Sequence, residues 1–188
     1  MKLRIDHFRF LAPHYETFVH PQESEKITTW AQRNPNGIVL DAGGGTGRVS
    51  QFLLGKAAQV VVADETFEML RVARKKEGIQ AACSHTEGLP FKNDTFGTIL
   101  MVDALHHVAD QPETAAELWR VLAPGGRIII EEPDIHAFGV KLMALAEKLA
   151  LMRSHFLSAQ QILALFQDSA AKKHAELEDS SAWVIVEK

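Results

Sequence analysis

The chain has 188 residues, of which 46% are hydrophobic and 23% are charged, and this composition is typical of one folded globular domain. Its formal charge of −4 excludes the broad positive surface on which non-specific binding of nucleic acid or anionic lipid depends. The single cysteine, Cys83, excludes an internal disulfide, and no apolar run approaches the roughly 18 residues that a membrane span needs. We therefore expect a cytoplasmic protein without membrane or nucleic-acid partners.

The N-terminal segment, residues 1–36, mixes aromatic, basic and histidine residues and contains a helical stretch at residues 24–32. We expect this segment to lie as a lid across a ligand cleft. Its aromatic side chains, Tyr15 among them, can equally serve only to cover the sheet. Asn-Pro-Asn-Gly at residues 34–37 predicts a turn into the first strand.

Residues 37–47 combine an apolar run, a carboxylate and a cluster of glycines. The apolar run predicts a buried strand that ends at Asp41. Gly43, Gly45 and Gly47 predict a tight turn, because glycine adopts positive φ and has no Cβ to keep a ligand away from the backbone. This arrangement favours a nucleotide-like ligand.

The residues after the glycines narrow the choice of ligand. A helix is predicted at residues 46–54, with the free N–H groups of its first turn facing that ligand. Arg48 occupies the place of the third glycine in a dinucleotide fingerprint, which disfavours NAD. The Gly-Lys-Ser/Thr of a Walker A loop is also absent.

A second predicted strand, residues 59–64, ends in a carboxylate. Asp64 lies about 20 residues beyond the glycine cluster, where a carboxylate can accept hydrogen bonds from both hydroxyls of a ribose. Thr66 is a suitable N-cap for a helix predicted at residues 66–76. The strand that ends at Asp41, the predicted helix at 46–54 and the strand at 59–64 form a βαβ unit, which predicts a parallel sheet.

The rest of the sequence continues the alternation of predicted strands and helices. Strands are predicted at residues 79–84, 96–103 and 128–132, helices at 111–122, 137–152 and 158–166, and a final hairpin at 172–178 and 182–186. Because ligands bind at the carboxyl ends of parallel strands, Asp103, His106 and His107 belong to the same cleft as Asp41 and Asp64. The sequence thus predicts an α/β fold with a doubly wound, seven-stranded sheet.

Four phrases are similar to motifs of one enzyme family. They are Asp-x-Gly-x-Gly-x-Gly at 41–47, Glu-Thr-Phe-Glu-Met-Leu at 65–70, His-Thr-Glu-Gly-Leu-Pro-Phe at 85–91 and Leu-Ala-Pro-Gly-Gly at 122–126. On these phrases the chain resembles the class I S-adenosylmethionine-dependent methyltransferases, especially the quinone-type branch that modifies small molecules. The resemblance implies a Rossmann-like, mostly parallel sheet with an antiparallel last strand. It divides a single domain, 1–188, into a lid (1–36), a cofactor-binding core (37–132) and substrate-side helices with the final hairpin (133–188).

The resemblance also implies the cofactor, S-adenosyl-L-methionine, and its binding residues. These are Asp41, Gly43, Gly45, Gly47, Asp64, Glu65, Met69, His85, Thr86, Glu87 and Asp103. The chain departs from the family phrase where His85 replaces an aspartate that accepts from the adenine amino group, and where Gly97 replaces a second aspartate. A neutral imidazole can still accept that hydrogen bond, whereas a doubly protonated one cannot. If His85 instead faces solvent, Thr86 and Glu87 alone frame the adenine.

Methyl transfer from a sulfonium is an in-line displacement, which needs alignment more than a nucleophile or a metal. Where an acceptor must lose a proton, the candidate bases by placement are His107, His106, Tyr15, His14 and His136. No metal site is expected, because the adjacent histidine pair lacks the usual ligand spacing.

We expect a small-molecule acceptor and a monomer or homodimer. Three alternatives stay open. A non-catalytic, S-adenosylmethionine-binding regulatory protein would bind the cofactor without turnover, and an NAD-dependent oxidoreductase would bind nicotinamide. An RNA methyltransferase would show salt-sensitive RNA binding.

Overall fold

The computed structural model describes residues 12–19, 23–32, 37–137, 140 and 154–188. Within them a seven-stranded sheet forms the centre of the fold, in the order β3-β2-β1-β4-β5-β7-β6. Its strands are β1 (Ile38–Ala42), β2 (Gln59–Asp64), β3 (Ile79–Cys83), β4 (Phe96–Val102), β5 (Leu122–Pro133), β6 (Lys172–Glu178) and β7 (Ser181–Glu187).

The topology places a cleft at one edge of the sheet. β1 pairs in parallel with β2 on one side and with β4 on the other. The winding direction reverses there, so the loops after β1 and β4 diverge and leave space at the carboxyl edge. β7 runs antiparallel between β5 and β6. The predicted fold class is therefore confirmed, including the final hairpin.

Helices cover both faces of the sheet. They include α1 (Tyr15–Phe18), α2 (Glu25–Gln32), α3 (Phe67–Ala73), α4 (Gln111–Val121) and α5 (Ala159–Leu165). Leu118 of α4 and Ile162 of α5 are fully buried in the apolar layer on one face. Ile27 of α2 packs with Val39 and Leu100 on the other. This double cover is why the central strands are continuous apolar runs in the sequence.

The predicted helix at residues 46–54 is wrong. After β1 the chain makes turns and then a short 3-10 helix at Ser50–Leu53. Gly47 has a φ of +70°, a left-handed conformation that interrupts a right-handed helix. A Cβ on Gly47 would lie 2.9 Å from Ile79 Cδ1, so the glycine packs directly against β3. The argument from a helix dipole at this loop therefore does not hold.

Helix α1 of the N-terminal segment is tied to the glycine loop. Lys76 Nζ, just after α3, donates to the Thr46 carbonyl oxygen at 2.7 Å and to Glu16 Oε1 of α1 at 2.5 Å. The predicted helix at 24–32 is present as α2, which packs on a face of the sheet and does not line the cleft. The remaining residues of the predicted lid (1–11, 20–22 and 33–36), and with them most of the turn at 34–37, lie outside the described residues, as does most of the predicted helix at 137–152. Those predictions stay predictions.

Candidate functional site

A cleft opens at the carboxyl edge of the sheet, where β1, β2, β3 and β4 end; its volume is about 920 Å³ when the part open to solvent is counted. The ends of these strands and the loops after them line it, together with Tyr15 of α1 and Met69 of α3. The predicted residues that line it are Tyr15, Asp41, Gly43, Gly45, Asp64, Glu65, Met69, His85, Thr86, Glu87, Asp103 and His107. The predicted residues outside it are Gly47, His14, His106 and His136.

Two carboxylates shape the glycine loop. A Cβ on Gly44 would collide with Asp41 Cγ, so the carboxyl group behind the loop requires glycine at this position. At Gly45 the situation is the opposite, because the nearest atom to an added Cβ is Asp64 Oδ2, 3.9 Å away. The backbone at Gly45 is therefore open to the cleft, whereas Gly47 lies beneath the loop against protein atoms.

Asp41 holds the loop from inside. Its side chain is 2% exposed, and Ser50 Oγ donates to Oδ2 at 2.6 Å. Burial raises the pKa of Asp41 to about 6, against the opposing effects of the Ser50 hydrogen bond and the Arg48 guanidinium. Ser50 was not among the predicted residues.

Asp64 closes the loop from the β2 side. Its Oδ2 accepts the Gly45 N–H at 2.9 Å, and its Oδ1 accepts the N–H of Thr66, the N-cap of α3, at 2.8 Å. Burial raises the pKa of Asp64, and these two backbone donors oppose the shift. Each carboxylate oxygen has a further lone pair with which to meet a ligand. The carboxylate is thus oriented before any ligand binds.

The β3 end of the cleft is more exposed. His85 Nδ1 lies 2.8 Å from Glu65 Oε2, and the two side chains are 65% and 57% exposed. With Nδ1 donating to this carboxylate, Nε2 is the acceptor of a neutral ring. The next residue, Thr86, is buried, with its hydroxyl 3.0 Å from that of Thr114.

Glu87 connects the loop after β3 with the loop after β4. Its Oε1 accepts the N–H groups of Ala109 at 2.8 Å and Asp110 at 3.0 Å. Burial alone would raise the pKa of Glu87, but these backbone hydrogen bonds and the nearby His85 outweigh it and hold the pKa below its ordinary value. Its role in the structure is to join two walls of the cleft.

Asp103, at the β4 end, has a left-handed backbone with a φ of +51°, which is uncommon for a residue with a side chain. Its N–H donates to the Glu131 carbonyl oxygen at 2.9 Å. Its Oδ2 accepts from Arg48 Nη2 at 2.5 Å, and Arg48 also hydrogen-bonds the Tyr15 side chain. Burial raises the pKa of Tyr15, which keeps its phenol neutral at physiological pH.

Two charged neighbours of Asp103, Arg48 and Glu131, are not among the residues predicted from the sequence. In the sequence, Arg48 was used only to disfavour NAD. Its position directly after the glycine cluster was the signal that could have placed it at the cleft. Glu131 lies near the end of β5, and Ser181 Oγ donates to its Oε1 at 3.2 Å. Burial, with a contribution from the Asp103 carboxylate, raises the pKa of Glu131 to about 7.

The two adjacent histidines have different environments. His106 is 4% exposed, and its Nδ1 lies 2.5 Å from Glu132 Oε2. Glu132 Oε1 also accepts the N–H groups of Ala104 and Leu105, at 3.0 Å and 2.7 Å. His107 lines the cleft, and the centroid of its ring lies 3.9 Å from the centroid of the His106 ring.

This arrangement corrects the placement of His106. Its ring nitrogen is engaged by a buried carboxylate and its faces are covered by the rings of His107 and Phe156, so it does not reach the cleft. His14 and His136 are exposed elsewhere. Of the candidate bases, His107 and Tyr15 therefore remain in the cleft.

Across the described ranges, no group of three or more His, Cys, Asp or Glu side chains is arranged to hold a metal ion. In the same part of the chain, no helix has the length and apolar character to cross a membrane.

Comparison of the sequence with protein families matches residues 40–130 to the family described as "Methyltransferase domain". A ubiquinone/menaquinone biosynthesis C-methyltransferase, UbiE, from Marinomonas sp. (strain MWYL1) is 38% identical over 104 residues, which cover 50% of this chain and 41% of that protein. UbiE from Escherichia coli O1:K1 / APEC is 34% identical over 104 residues, with the same coverage. The chain thus spans about two fifths of the length of these relatives.

Solved structures share the whole fold. A Thermotoga maritima protein described as an S-adenosylmethionine-dependent methyltransferase, possible histamine N-methyltransferase, superposes with a TM-score of 0.76 at 19% identity, covering 96% of this chain and 97% of that one. A chain of the Haloferax volcanii complex between the Trm112 methyltransferase activator and a methyltransferase superposes with a TM-score of 0.77 at 16% identity, covering 98% of both chains.

Residues 40–130 thus match the methyltransferase domain family, and the fold is that of solved S-adenosylmethionine-dependent methyltransferases; S-adenosylmethionine is the cofactor that this match implies. More particularly, the chain is similar to the UbiE C-methyltransferases. The resemblance of its sequence motifs to that family is confirmed.

Proposed function

We propose that this protein transfers a methyl group from S-adenosylmethionine to a small-molecule acceptor by in-line displacement. The observation that carries the proposal is the common cleft at the ends of β1 to β4, where an open glycine backbone, an oriented carboxylate on β2 and a histidine after β4 face one volume. The three features suit a ribose-containing ligand with a reacting group beside it.

The residues of the cleft fit the adenosine part of the cofactor. The Asp64 carboxylate, oriented by Gly45 and Thr66, has lone pairs for the ribose hydroxyls. Glu65, His85 and Thr86 line the neighbouring β3 side, where the adenine would lie. Gly45 provides backbone without a Cβ atom that would face the ligand, Gly43 lines the cleft beside it, and Met69 adds an apolar surface.

When bound, the cofactor supplies a methyl group activated by a positively charged sulfur. The chain itself must align the acceptor and exclude water. His107 is the stronger candidate base where the acceptor loses a proton, because imidazole takes up protons near neutral pH. The raised pKa of Tyr15 suits it to donate a hydrogen bond instead.

The proposal of a small-molecule acceptor is supported by the relatives, whose names place them in ubiquinone and menaquinone biosynthesis. The family match ends at residue 130, so it supports the cofactor-binding half more directly than the acceptor. We further propose that residues 1–188 form a single domain, in which the N-terminal segment contributes Tyr15 to the cleft and the residues after 132 contact the acceptor.

The test is calorimetric titration of the purified protein with S-adenosylmethionine, S-adenosylhomocysteine and NAD, followed by a screen of quinol, phenol and amine acceptors. We expect micromolar binding of the two sulfur compounds and none of NAD. Binding of NAD alone would overturn the proposal in favour of an oxidoreductase. Binding of the sulfur compounds without turnover of any acceptor class would favour a regulatory, S-adenosylmethionine-binding protein.

A further inference from the structure

The charges that line the cleft are strongly unequal. Its carboxylates belong to Asp41, Asp64, Glu65, Glu87 and Asp103, whereas Arg48 is the one arginine or lysine among the described lining residues. S-adenosylmethionine carries an α-carboxylate at its amino-acid end. An anionic group entering so acidic a cleft needs a cation, and the guanidinium of Arg48 is the permanent one available there.

Arg48 is presented to the cleft with a carboxylate beside it. Arg48 Nη2 lies 2.5 Å from Asp103 Oδ2, and the side chains are 13% and 43% exposed. The guanidinium is steadied by Tyr15, and Asp103 by its N–H bond to the Glu131 carbonyl oxygen. The left-handed backbone of Asp103 is a conformation that the surrounding structure must enforce.

The order of the strands indicates which end of the cofactor meets this pair. The strands run β3-β2-β1-β4, and the proposed function assigns adenine to the β3 end and ribose to the β2 end. The amino-acid end then falls at the ends of β1 and β4. Arg48 follows β1 through the glycine loop, and Asp103 follows β4 directly.

Resting on the proposed function, we propose that Arg48 and Asp103 are a zwitterion clamp for the amino-acid end of the cofactor. The guanidinium binds the α-carboxylate and the Asp103 carboxylate binds the α-ammonium. The protein exchanges one internal ion pair for two ion pairs with the ligand, so no charge is left unpaired when the cofactor binds. A ligand that lacks the amino-acid end leaves the internal pair intact and gains nothing from it.

The experiment compares two ligands that share adenine, ribose and a thioether sulfur. S-adenosylhomocysteine has the amino-acid end, and 5′-methylthioadenosine lacks it. Both are titrated calorimetrically into the wild type, Arg48→Met and Asp103→Asn. We expect each substitution to raise the Kd of S-adenosylhomocysteine roughly 10- to 100-fold, as for a lost hydrogen bond between charged groups. The Kd of 5′-methylthioadenosine should change less than about threefold, since it does not use the clamp.

Two further variants serve as controls. Lys56 forms an ion pair with Glu23 that has the same 2.5 Å length, and it does not line the cleft. Lys56→Met should therefore leave the Kd values of both ligands unchanged. Arg48→Lys keeps the charge without the fork geometry and should recover part of the lost affinity.

The outcomes separate this proposal from the proposed function. If the wild type binds neither adenosyl compound, the proposed function fails. If it binds both with similar Kd values, or if the substitutions weaken both ligands equally, the adenosyl site stands and the clamp is overturned. The comparison of the two ligands on the wild type decides the question even if a variant does not fold.

Discussion

The two sides of the cleft are held by different kinds of hydrogen bond. On the β2 side, the carboxylate of Asp64 is oriented by backbone N–H groups of loops that follow β1 and β2. On the side of β4 and β5, side chains far apart in the sequence hold one another: Arg48 bonds Asp103, and His106 bonds Glu132. The first side depends on the shape of its loops, whereas the second depends on specific partners and on the register of β4 with β5.

The largest effect should come from removing the buried partner on the β4 and β5 side. Glu132→Ala removes the carboxylate that accepts the N–H groups of Ala104 and Leu105 and that holds Nδ1 of the buried His106. We expect the free energy of unfolding to fall by about 3–5 kcal/mol, as when one partner of a buried ion pair is removed. Equilibrium unfolding in urea measures this change in the free energy of unfolding.

Two variants sharpen this prediction. Glu132→Gln keeps an oxygen for the two backbone donors and should lose less. Glu23→Ala breaks the exposed ion pair with Lys56 and should cost less than about 1 kcal/mol. If Glu132→Ala costs no more than Glu23→Ala, the buried network does not hold this side of the cleft, and the contrast between the two sides is wrong.

The next effect concerns the pH dependence of stability. The folded pKa of Asp41 is about 6 and its ordinary value is 3.8, so the folded state keeps the proton where the unfolded chain has lost it. The contribution of Asp41 to stability is therefore greatest at low pH and falls as the pH rises from about 4 to about 6. Above about pH 6 this contribution no longer changes with pH. Asp41→Asn should remove this slope and, if Asn keeps the Ser50 hydrogen bond, stabilise the protein at pH 7 by at most about 3 kcal/mol.

Glu131→Gln is the matched variant on the other side of the cleft. The folded pKa of Glu131 is about 7 against an ordinary 4.5, so its slope extends further toward neutral pH. Urea unfolding between pH 4.5 and pH 8 should show that Asp41→Asn retains the part of the slope between pH 6 and pH 7, and that Glu131→Gln loses it. Identical profiles for both variants and the wild type would show that neither carboxyl group has a shifted pKa.

The contrast between the two sides also explains what the sequence could predict. The strands and Asp64 follow from local patterns, because apolar runs define buried strands and a carboxylate at a strand end falls in the cleft by topology. His106 and His107 are adjacent and chemically identical. What separates them is Glu132, whose position opposite the loop depends on the pairing of β5 with β4. No local pattern contains that register, and for the same reason the Arg48–Asp103 pair was missed.

A smaller effect should follow from a change to the β2 carboxylate. Asp64→Asn places an amide N–H₂ against the N–H of either Gly45 or Thr66, so the loop must shift and the ribose loses one acceptor. We expect the Kd of S-adenosylhomocysteine to rise roughly tenfold, or about 1.4 kcal/mol. Asp94→Asn, which changes an exposed carboxylate bonded to Lys188 outside the cleft, is the control and should have no effect. An unchanged Kd for Asp64→Asn would remove this residue from the proposed ribose site.

The smallest effect belongs to the exposed β3 end, where His85 and Glu65 are screened by solvent. With Nδ1 donating to Glu65, a neutral His85 offers Nε2 to the adenine amino group, and a doubly protonated ring offers no acceptor. At one fixed pH, we expect His85→Ala to raise the Kd of S-adenosylhomocysteine by less than about fivefold, in line with an exposed interaction below about 1 kcal/mol. His85→Asn keeps a hydrogen-bond acceptor and should lose less affinity, whereas His174→Ala, on exposed β6, is the control and should have no effect. An unchanged Kd for His85→Ala would mean that His85 faces solvent and that Thr86 and Glu87 frame the adenine without it.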